Sequence, residues 1–467
     1  MLIRSNQIPA SISVPLLLTF VCVAFILGDL STSFPWWLML ALGAAPIFLT
    51  IAWKNTLVGF YIYFIFLLFS PYLKVSDAAT VVLMGIFYLK ALMQPGKLSI
   101  GGRYRKIFLL LYLFLGWCFA SIMLSKLHLS NTIDYIYRDS RVLLYWCWLP
   151  LLLSLMSKGD FSRQGAQDIL ISIGMSVVAL ALLEYFTGVH ILGKGRVSEL
   201  NSGEDVVRVQ IFGFIFVTLT LIYSVAKLAS GTANHMLFIP LLMFSVMGLY
   251  VNFGRAVWVW STVGVLLLFI FLPIERAKRL LPKFACILFL GFGTLYLVKP
   301  AALERAADRI LSVQEEGGKS TSYGWRKLEN AEGVNVIKHS PLFGVGLGGE
   351  YRPWVPEIRE FEDHTRYIHN VYLFFSVKLG LPGALMFILL LINIWTLAFK
   401  SIATTKEPNQ KYFAITVSAA LPAFFMLNIT QPELEEPFGV IYLVLILCSL
   451  YVPPQTSGNV TAQKGYG

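Results

Sequence analysis

The stretch Arg366-Tyr-Ile-His-Asn-Val-Tyr-Leu-Phe-Phe-Ser-Val-Lys-Leu-Gly-Leu-Pro-Gly383 passes from a polar loop into an apolar run. It continues as Ala384-Leu-Met-Phe-Ile-Leu-Leu-Leu-Ile-Asn-Ile-Trp-Thr-Leu-Ala-Phe399 with no charged side chain. Such a run has the length that crosses a bilayer as a helix, roughly 17–25 residues. The junction also sets one imidazole, His369, where the polar loop turns back towards the apolar segment. Imidazole titrates closest to neutrality of all side chains, which suits proton transfer.

The rest of the chain repeats this pattern. Of 467 residues, 57% are hydrophobic and 13% charged, against about a quarter charged in a soluble domain. The mean hydropathy is +0.70. The apolar runs are continuous rather than alternating, which excludes a β-barrel. The spacing predicts helices over 11–29, 33–52, 56–73, 76–94, 107–125, 142–157, 166–186, 209–226, 236–252, 256–272, 284–298, 382–399, 412–428 and 437–452. The fold class is therefore an all-α polytopic membrane protein, a bundle of about 12–14 transmembrane helices with one large periplasmic loop region. Residues 1–298 form the first part of the bundle and 299–368 the loop region with short helices. Residues 369–452 form the C-terminal helices and 453–467 a polar cytoplasmic tail. Arg4 and the run Val14–Leu27 imitate a signal peptide, but no small-residue cleavage site follows, so a retained first helix is expected.

The net charge of +11 is not a nucleic-acid signature, because much of it lies in short loops. Lys97, Arg103, Arg105 and Lys106 sit in one such loop, Arg276, Lys278, Arg279 and Lys283 in another, and Lys400, Lys406 and Lys411 in a third. Helix alternation puts all three on one side, which the positive-inside rule makes cytoplasmic. The opposite face then receives 126–141, 187–208, 252–255, 299–369 and 429–436. The segment 299–369 holds Trp325, Phe343, Tyr351, Trp354, Phe361 and Tyr367, too many aromatics for a disordered linker. Helical spacing recurs at 302–313 and 324–339, and 369–379 reads as a short helix at the membrane edge. The five cysteines lie in apolar runs at spacings that match no metal or redox motif.

Several arginines fall on the face where the charge rule expects few. Arg208 precedes a helix, Arg255 lies in a tight turn, and Arg138 and Arg141 flank Asp139. Guanidinium groups bind phosphate oxygens in bidentate fashion, so a lipid diphosphate fits them. Snorkelling to headgroups or pairing with a neighbouring acid fits each one taken alone. His369 stands beside Asn370 and five residues after His364, which is no two-histidine metal face on a helix, and no HExxH or Cys/His cluster occurs. Its position is equally that of a general base, a hydrogen-bond donor or a helix cap. Gly344-Val-Gly-Leu-Gly-Gly349 matches GxGxxG, but no strand precedes it and Pro341 does, so it reads as a turned loop. Glu433, Glu435 and Glu436 cluster in the last loop of the same face, as partners of the arginines or as a solvated turn. Acids and bases are scarce within the helices, which argues against a flippase or other transporter.

Three stretches carry a resemblance to a known family: Arg208-Val-Gln-Ile-Phe-Gly-Phe214, Asn252-Phe-Gly-Arg-Ala-Val-Trp258, and a series running from Trp325-Arg326 through Pro341-Leu-Phe-Gly-Val-Gly-Leu-Gly348 to His369-Asn-Val-Tyr-Leu373 and Gly380-Leu-Pro-Gly383. Together they resemble the bacterial O-antigen ligase and O-antigen polymerase family. Lys378 departs from the pattern, which often has an acid just before the Leu-Gly pair. The resemblance implies a metal-independent glycosyltransferase of the inner membrane with no cofactor. Its donor would be a glycan on undecaprenyl diphosphate, its acceptor lipid A-core or another glycan, and its active site would face the periplasm. Membrane lipids and these two substrates are the expected partners, with no nucleic acid. Polymerases and protein O-oligosaccharyltransferases of the same superfamily share the implied chemistry, which is expected to invert the anomeric carbon. His369, Arg255 and Arg208 are the implied catalytic residues, and Arg138, Arg141, Arg326, Asn370 and His364 the candidates for holding diphosphate or sugar.

Overall fold

A computed structural model describes residues 36–69, 73–93, 102–187, 196–199, 207–210, 212–231, 234–298, 322–354 and 364–452. The expectations for 11–29, for 302–313 and for the tail lie outside the described residues. In chain order the helices are α1 (Trp36–Lys54), α2 (Thr56–Phe69), α3 (Leu73–Met93), α4 (Gly102–Leu127), α5 (Ile133–Ser140), α6 (Trp148–Ser157) and α7 (Arg163–Thr187). After a two-stranded hairpin, β1 (Arg196–Glu199) and β2 (Val207–Gln210), come α8 (Phe214–Ser230), α9 (His235–Asn252), α10 (Arg255–Phe271) and α11 (Ile274–Val298). The chain continues with α12 (Ser322–His339), α13 (Val371–Thr404), α14 (Pro408–Leu427) and α15 (Pro437–Leu450). Arg141–Cys147 and Glu433–Glu435 are 3-10 turns. Among the described residues, seven segments are long and apolar enough to cross a membrane, and five shorter apolar helices accompany them. The protein is an all-α polytopic membrane protein that carries one short hairpin.

Several expected boundaries move: α11 starts at Ile274 rather than 284 and α4 at Gly102 rather than 107, so Arg276, Lys278, Arg279, Lys283, Arg103, Arg105 and Lys106, expected in loops, stand in the first turns of helices. Two further changes have a local reason. The helix expected from 209 starts at Phe214, because Gly213 takes a left-handed conformation (φ 94°) and separates it from β2. Arg208 therefore stands on a strand, paired with Ser198, rather than at a helix start. The short helix at 369–379 and the long one at 382–399 are two parts of α13, joined across a kink at Gly380 (φ 70°, ψ 177°). Pro382, which has no N–H to give, sits in the first turn after the kink, where none is needed.

α15 is the axis of the bundle. Every residue from Pro437 to Leu450 is buried, as expected of a helix that is apolar all round. α6, α7 and the 3-10 turns pack around it. In lipid, packing depends on close approach rather than on expulsion of water. Gly174 of α7 provides it: a β-carbon there would overlap the Phe216 carbonyl and the Thr220 hydroxyl of α8. Outward faces of α3, α4 and α10 expose Leu89, Leu92, Leu109, Phe119 and Ile270, an apolar exterior that suits lipid.

Polar contacts collect at two ends. At one, Lys90 meets Thr56 (3.0 Å) and Asp160 (3.3 Å), Gln167 meets Gln410 (2.7 Å), Lys227 meets Asn409 (2.6 Å) and Arg276 donates to the Ser230 carbonyl (2.9 Å). The other end holds Asp77, Asp139, Arg141, Glu329, His369 and Glu436.

Candidate active site

The glycine loop after α12 and the kink in α13 fit each other. Gly344, Gly346 and Gly348 all have positive φ. Val345 N–H donates to the Val377 carbonyl and Leu381 N–H to the Pro341 carbonyl, both at 2.8 Å. A β-carbon on Gly344 would strike the Val377 carbonyl, and one on Gly380 the Leu342 carbonyl. Other backbone groups of the loop are engaged from α4–α5. Asn131 Nδ2 donates to the carbonyls of Val345 and Leu347 (3.2 and 3.1 Å), and Gly348 N–H donates to Asp139 Oδ2 (2.7 Å). The stretch is a turned loop bonded to the protein.

Lys378 completes this arrangement. Its side chain is fully buried, with Nζ 2.9 Å from Asp139 Oδ2 and 2.6 Å from the Gly349 carbonyl. The cation that departs from the family pattern is thus neutralised by an acid brought from another part of the chain. Breaking a buried pair strands the surviving charge and typically costs about 3–5 kcal/mol. Lys378→Met is therefore expected to lower the thermal unfolding midpoint in detergent strongly, and Lys378→Met combined with Asp139→Asn to lower it less. Equal midpoints for the wild type and the single variant would contradict this role.

His369 lies on the shelf formed where the loop enters α13. Its Nδ1 is 2.9 and 3.0 Å from the two carboxylate oxygens of Glu329 on α12, and its backbone N–H donates to Glu329 Oε2 at 3.1 Å. Glu329 is 1% exposed, while the His369 side chain retains 23% exposure. Tyr367 presents an edge-on ring at 4.9 Å from the imidazole. Arg352 brings its guanidinium to 3.9 Å from Glu329 Oε1, donates from Nε to the His364 carbonyl (2.6 Å) and lies over the Trp325 ring at 3.9 Å. Asn370 is the N-cap of α13, its Oδ1 accepting from Tyr372 and Leu373 N–H (3.0 and 3.2 Å). Buried Asn428, at the end of α14, fixes the shelf from below: its carbonyl accepts from Val371 N–H (3.0 Å) and its Oδ1 from Leu434 N–H (2.9 Å).

The glutamates of the last loop face this shelf. Burial, together with Glu435, Glu436, Glu329 and Glu433, holds the Tyr367 phenol well above its ordinary range. Burial first, then Asp139 and Glu436, pushes the Glu435 carboxyl well up. The Glu433 carboxyl is pushed up to about 7 by burial and by Glu436. An unfolded glutamate releases its proton near 4.3. Between these values the folded chain holds a proton that the unfolded chain has lost, so stability falls as pH rises towards 7. Glu433→Gln removes this slope. The variant is expected to unfold at a higher temperature than the wild type at pH 8, with the gap closing at pH 5. Parallel pH profiles would contradict it.

The arginines separate into two groups. Arg141 is buried among acids, with Nη2 2.8 Å from Glu436 and Nη1 3.5 Å from Asp77. Asp77 also accepts from Tyr137 (2.5 Å) and Tyr145 (2.6 Å). Arg141 thus ties α3 and the first 3-10 turn to the last loop. Arg138, on α5, is exposed. Arg326 is half-buried on α12, three residues before Glu329. His364 is buried, its ring 4.1 Å from that of Trp354. Arg255 and Arg208 lie on two other stretches, the start of α10 and β2. Arg255 opens α10 after Phe253 turns left-handed (φ 49°) and Gly254 caps the helix. Asn252 Nδ2, three residues before it, donates to the carbonyl of Val209 (3.5 Å), the neighbour of Arg208. The two arginine-bearing stretches meet at that bond.

A small apolar crevice of about 10 Å³ lies between α8, α10, α14 and α15. Ile215 and Thr218 of α8, Val257 and Trp260 of α10, and Ala423 and Leu427 of α14 line it. Val257 lies two residues from Arg255, and Leu427 precedes Asn428, which supports the His369 shelf. Among the described residues, no group of three His, Cys, Asp or Glu side chains is arranged to hold a metal ion.

Sequence reasoning singled out His369, Arg255 and Arg208 as candidates but not Glu329, Asn428 or the pairing of Asp139 with Lys378. One signal for Glu329 was present. Trp325, Glu329 and Gly333 recur every four residues on a mostly polar helix, and Glu329 and Gly333 are its buried positions. An acid on the one inward stripe of a helix needs a partner.

The described chain is a polytopic helical bundle that carries a loop-borne histidine with a carboxylate behind it and an arginine-bearing turn. Residues 240–388, about a third of the chain, match the family model described as O-antigen ligase. The match takes in the Arg255 turn, Glu329, the glycine loop, His369 and the α13 kink. A search of curated proteins gave no match.

Proposed function

We propose that the protein transfers a glycan from undecaprenyl diphosphate to an acceptor sugar, lipid A-core, at the periplasmic face of the inner membrane. The observation that carries this reading is the match of residues 240–388 to the O-antigen ligase model, a stretch that takes in both Arg255 at the start of α10 and His369 on its Glu329 support. Guanidinium groups suit the diphosphate of such a donor. In the reaction the acceptor hydroxyl oxygen forms a bond to the anomeric carbon. The bond from that carbon to the diphosphate oxygen breaks, its electron pair leaving with the diphosphate. His369 takes the hydroxyl proton, and Arg255 and Arg208 stabilise the charge that grows on the leaving group. Attack opposite the leaving group inverts the anomeric centre. No step calls for a metal.

The test is transfer by the purified chain from an undecaprenyl-diphosphate-linked glycan to lipid A-core, paired with surface glycan patterns in a deletion strain. Loss of every long chain from the core supports ligation. Core bearing a single repeat instead identifies a polymerase, and unchanged lipopolysaccharide with loss of a glycosylated protein identifies a protein O-oligosaccharyltransferase.

A further inference from the structure

We infer that Glu329 is the positioning residue of His369: it fixes the imidazole as the Nδ1–H tautomer and so presents Nε2 with its lone pair. The assignment of a reactive role to Nε2 rests on the functional reading above; the tautomer itself does not. Both carboxylate oxygens of Glu329 lie within 2.9–3.0 Å of His369 Nδ1. A carboxylate oxygen only accepts there, so the proton must be on Nδ1. The same carboxylate receives the backbone N–H of His369 at 3.1 Å, so ring and main chain are held by one group. The far side of Glu329 is fixed too. Arg352 stands 3.9 Å away, its side chain 1% exposed, anchored on the Trp325 ring and the His364 carbonyl. Glu329 thus sits between two cationic or donor groups and cannot turn away. Tyr367 closes one edge of the imidazole, and Glu433, Glu435 and Glu436 face Tyr367 from the last loop. The His369 side chain as a whole keeps 23% exposure.

A neutral imidazole that takes its proton on the wrong nitrogen cannot accept another at the site of reaction, and loss of the orienting carboxylate in such pairs is costly. In Glu329→Gln a single amide oxygen must serve two donors, the His369 N–H and Nδ1–H. The Nδ1–H form loses its hold. In Glu329→Ala it loses it entirely.

The experiment is nitrogen-15 NMR of the full chain in detergent, histidine-labelled, with His369 assigned by difference against His369→Gln and the ring read at a pH where it is neutral. The wild type is expected to carry the proton on Nδ1. Glu329→Gln and Glu329→Ala are expected to shift the ring towards Nε2–H. In the transfer assay both variants are expected to lose about 10²-fold or more in kcat with little change in acceptor KM. An Nε2–H ring in the wild type overturns the inference without any variant. So does an unchanged tautomer or full kcat in Glu329→Gln. If the wild-type ring is Nδ1–H and shifts in the variants while the wild type transfers no glycan, the positioning of His369 stands and the functional reading falls.

Discussion

His369→Ala is expected to reduce glycan transfer about 10²–10⁴-fold, the range of a lost general base, while the chain still folds. The ring retains access to solvent, and its removal leaves Glu329 bonded to the His369 backbone N–H and near Arg352. The carboxylate is not stranded, so the thermal midpoint should change little. His369→Gln separates two roles that alanine does not. Its amide can hydrogen-bond to Glu329 and to an acceptor hydroxyl but cannot take a proton at neutral pH. Activity as low as that of alanine identifies proton removal; recovery of most activity identifies hydroxyl orientation. Full activity in both variants would remove His369 from the reaction.

Arg255→Ala ranks next, with an expected loss of about 10²–10³-fold in kcat, the scale of removing one donor from a developing anion. The residue opens α10, so the positive end of the helix adds to its own charge. Arg255→Lys keeps the charge without the planar fork and should recover only part of the loss. Arg208→Ala is expected to behave alike. Because Asn252 and Val209 join the two stretches, the double variant should lose less than the product of the single losses if both arginines hold one diphosphate. Strict additivity would place them on different ligands or at different steps.

The fold was legible to the extent that it depends on apolar run length. The expected helix over 437–452 became α15, and 236–252 became α9 almost to the residue, because a continuous apolar run bounded by polar residues has one reading in lipid. The start of α8 was less legible. The run over 209–226 is apolar throughout, and only the left-handed turn at Gly213 separates strand from helix. In the site, His369 and Arg255 were visible because each is a polar residue at an element boundary. Glu329 was hidden because its partner lies 40 residues further on in sequence and no spacing rule spans that distance. Lys378 was visible as an oddity. Its explanation, Asp139, could come only from the tertiary contact between α5 and α13. Arg141 shows the limit of charge counting, since a cation on an unexpected face can belong to two acids, Asp77 and Glu436, before any ligand arrives.

Asp139 and Asn131 lie far upstream of the 240–388 stretch, and Asn428 and Glu436 lie beyond it, yet all four hold the glycine loop, the His369 shelf or Arg141 in place. The stretch is therefore not a portable cassette. Cut out by itself it would keep Lys378 without its counter-ion and α13 without the residue that anchors its start. Chimaeras that exchange acceptor specificity between relatives should carry residues 131–141 and 428–436 along with the swapped region. Exchanges that respect only the family boundary are expected to yield misfolded protein rather than altered specificity.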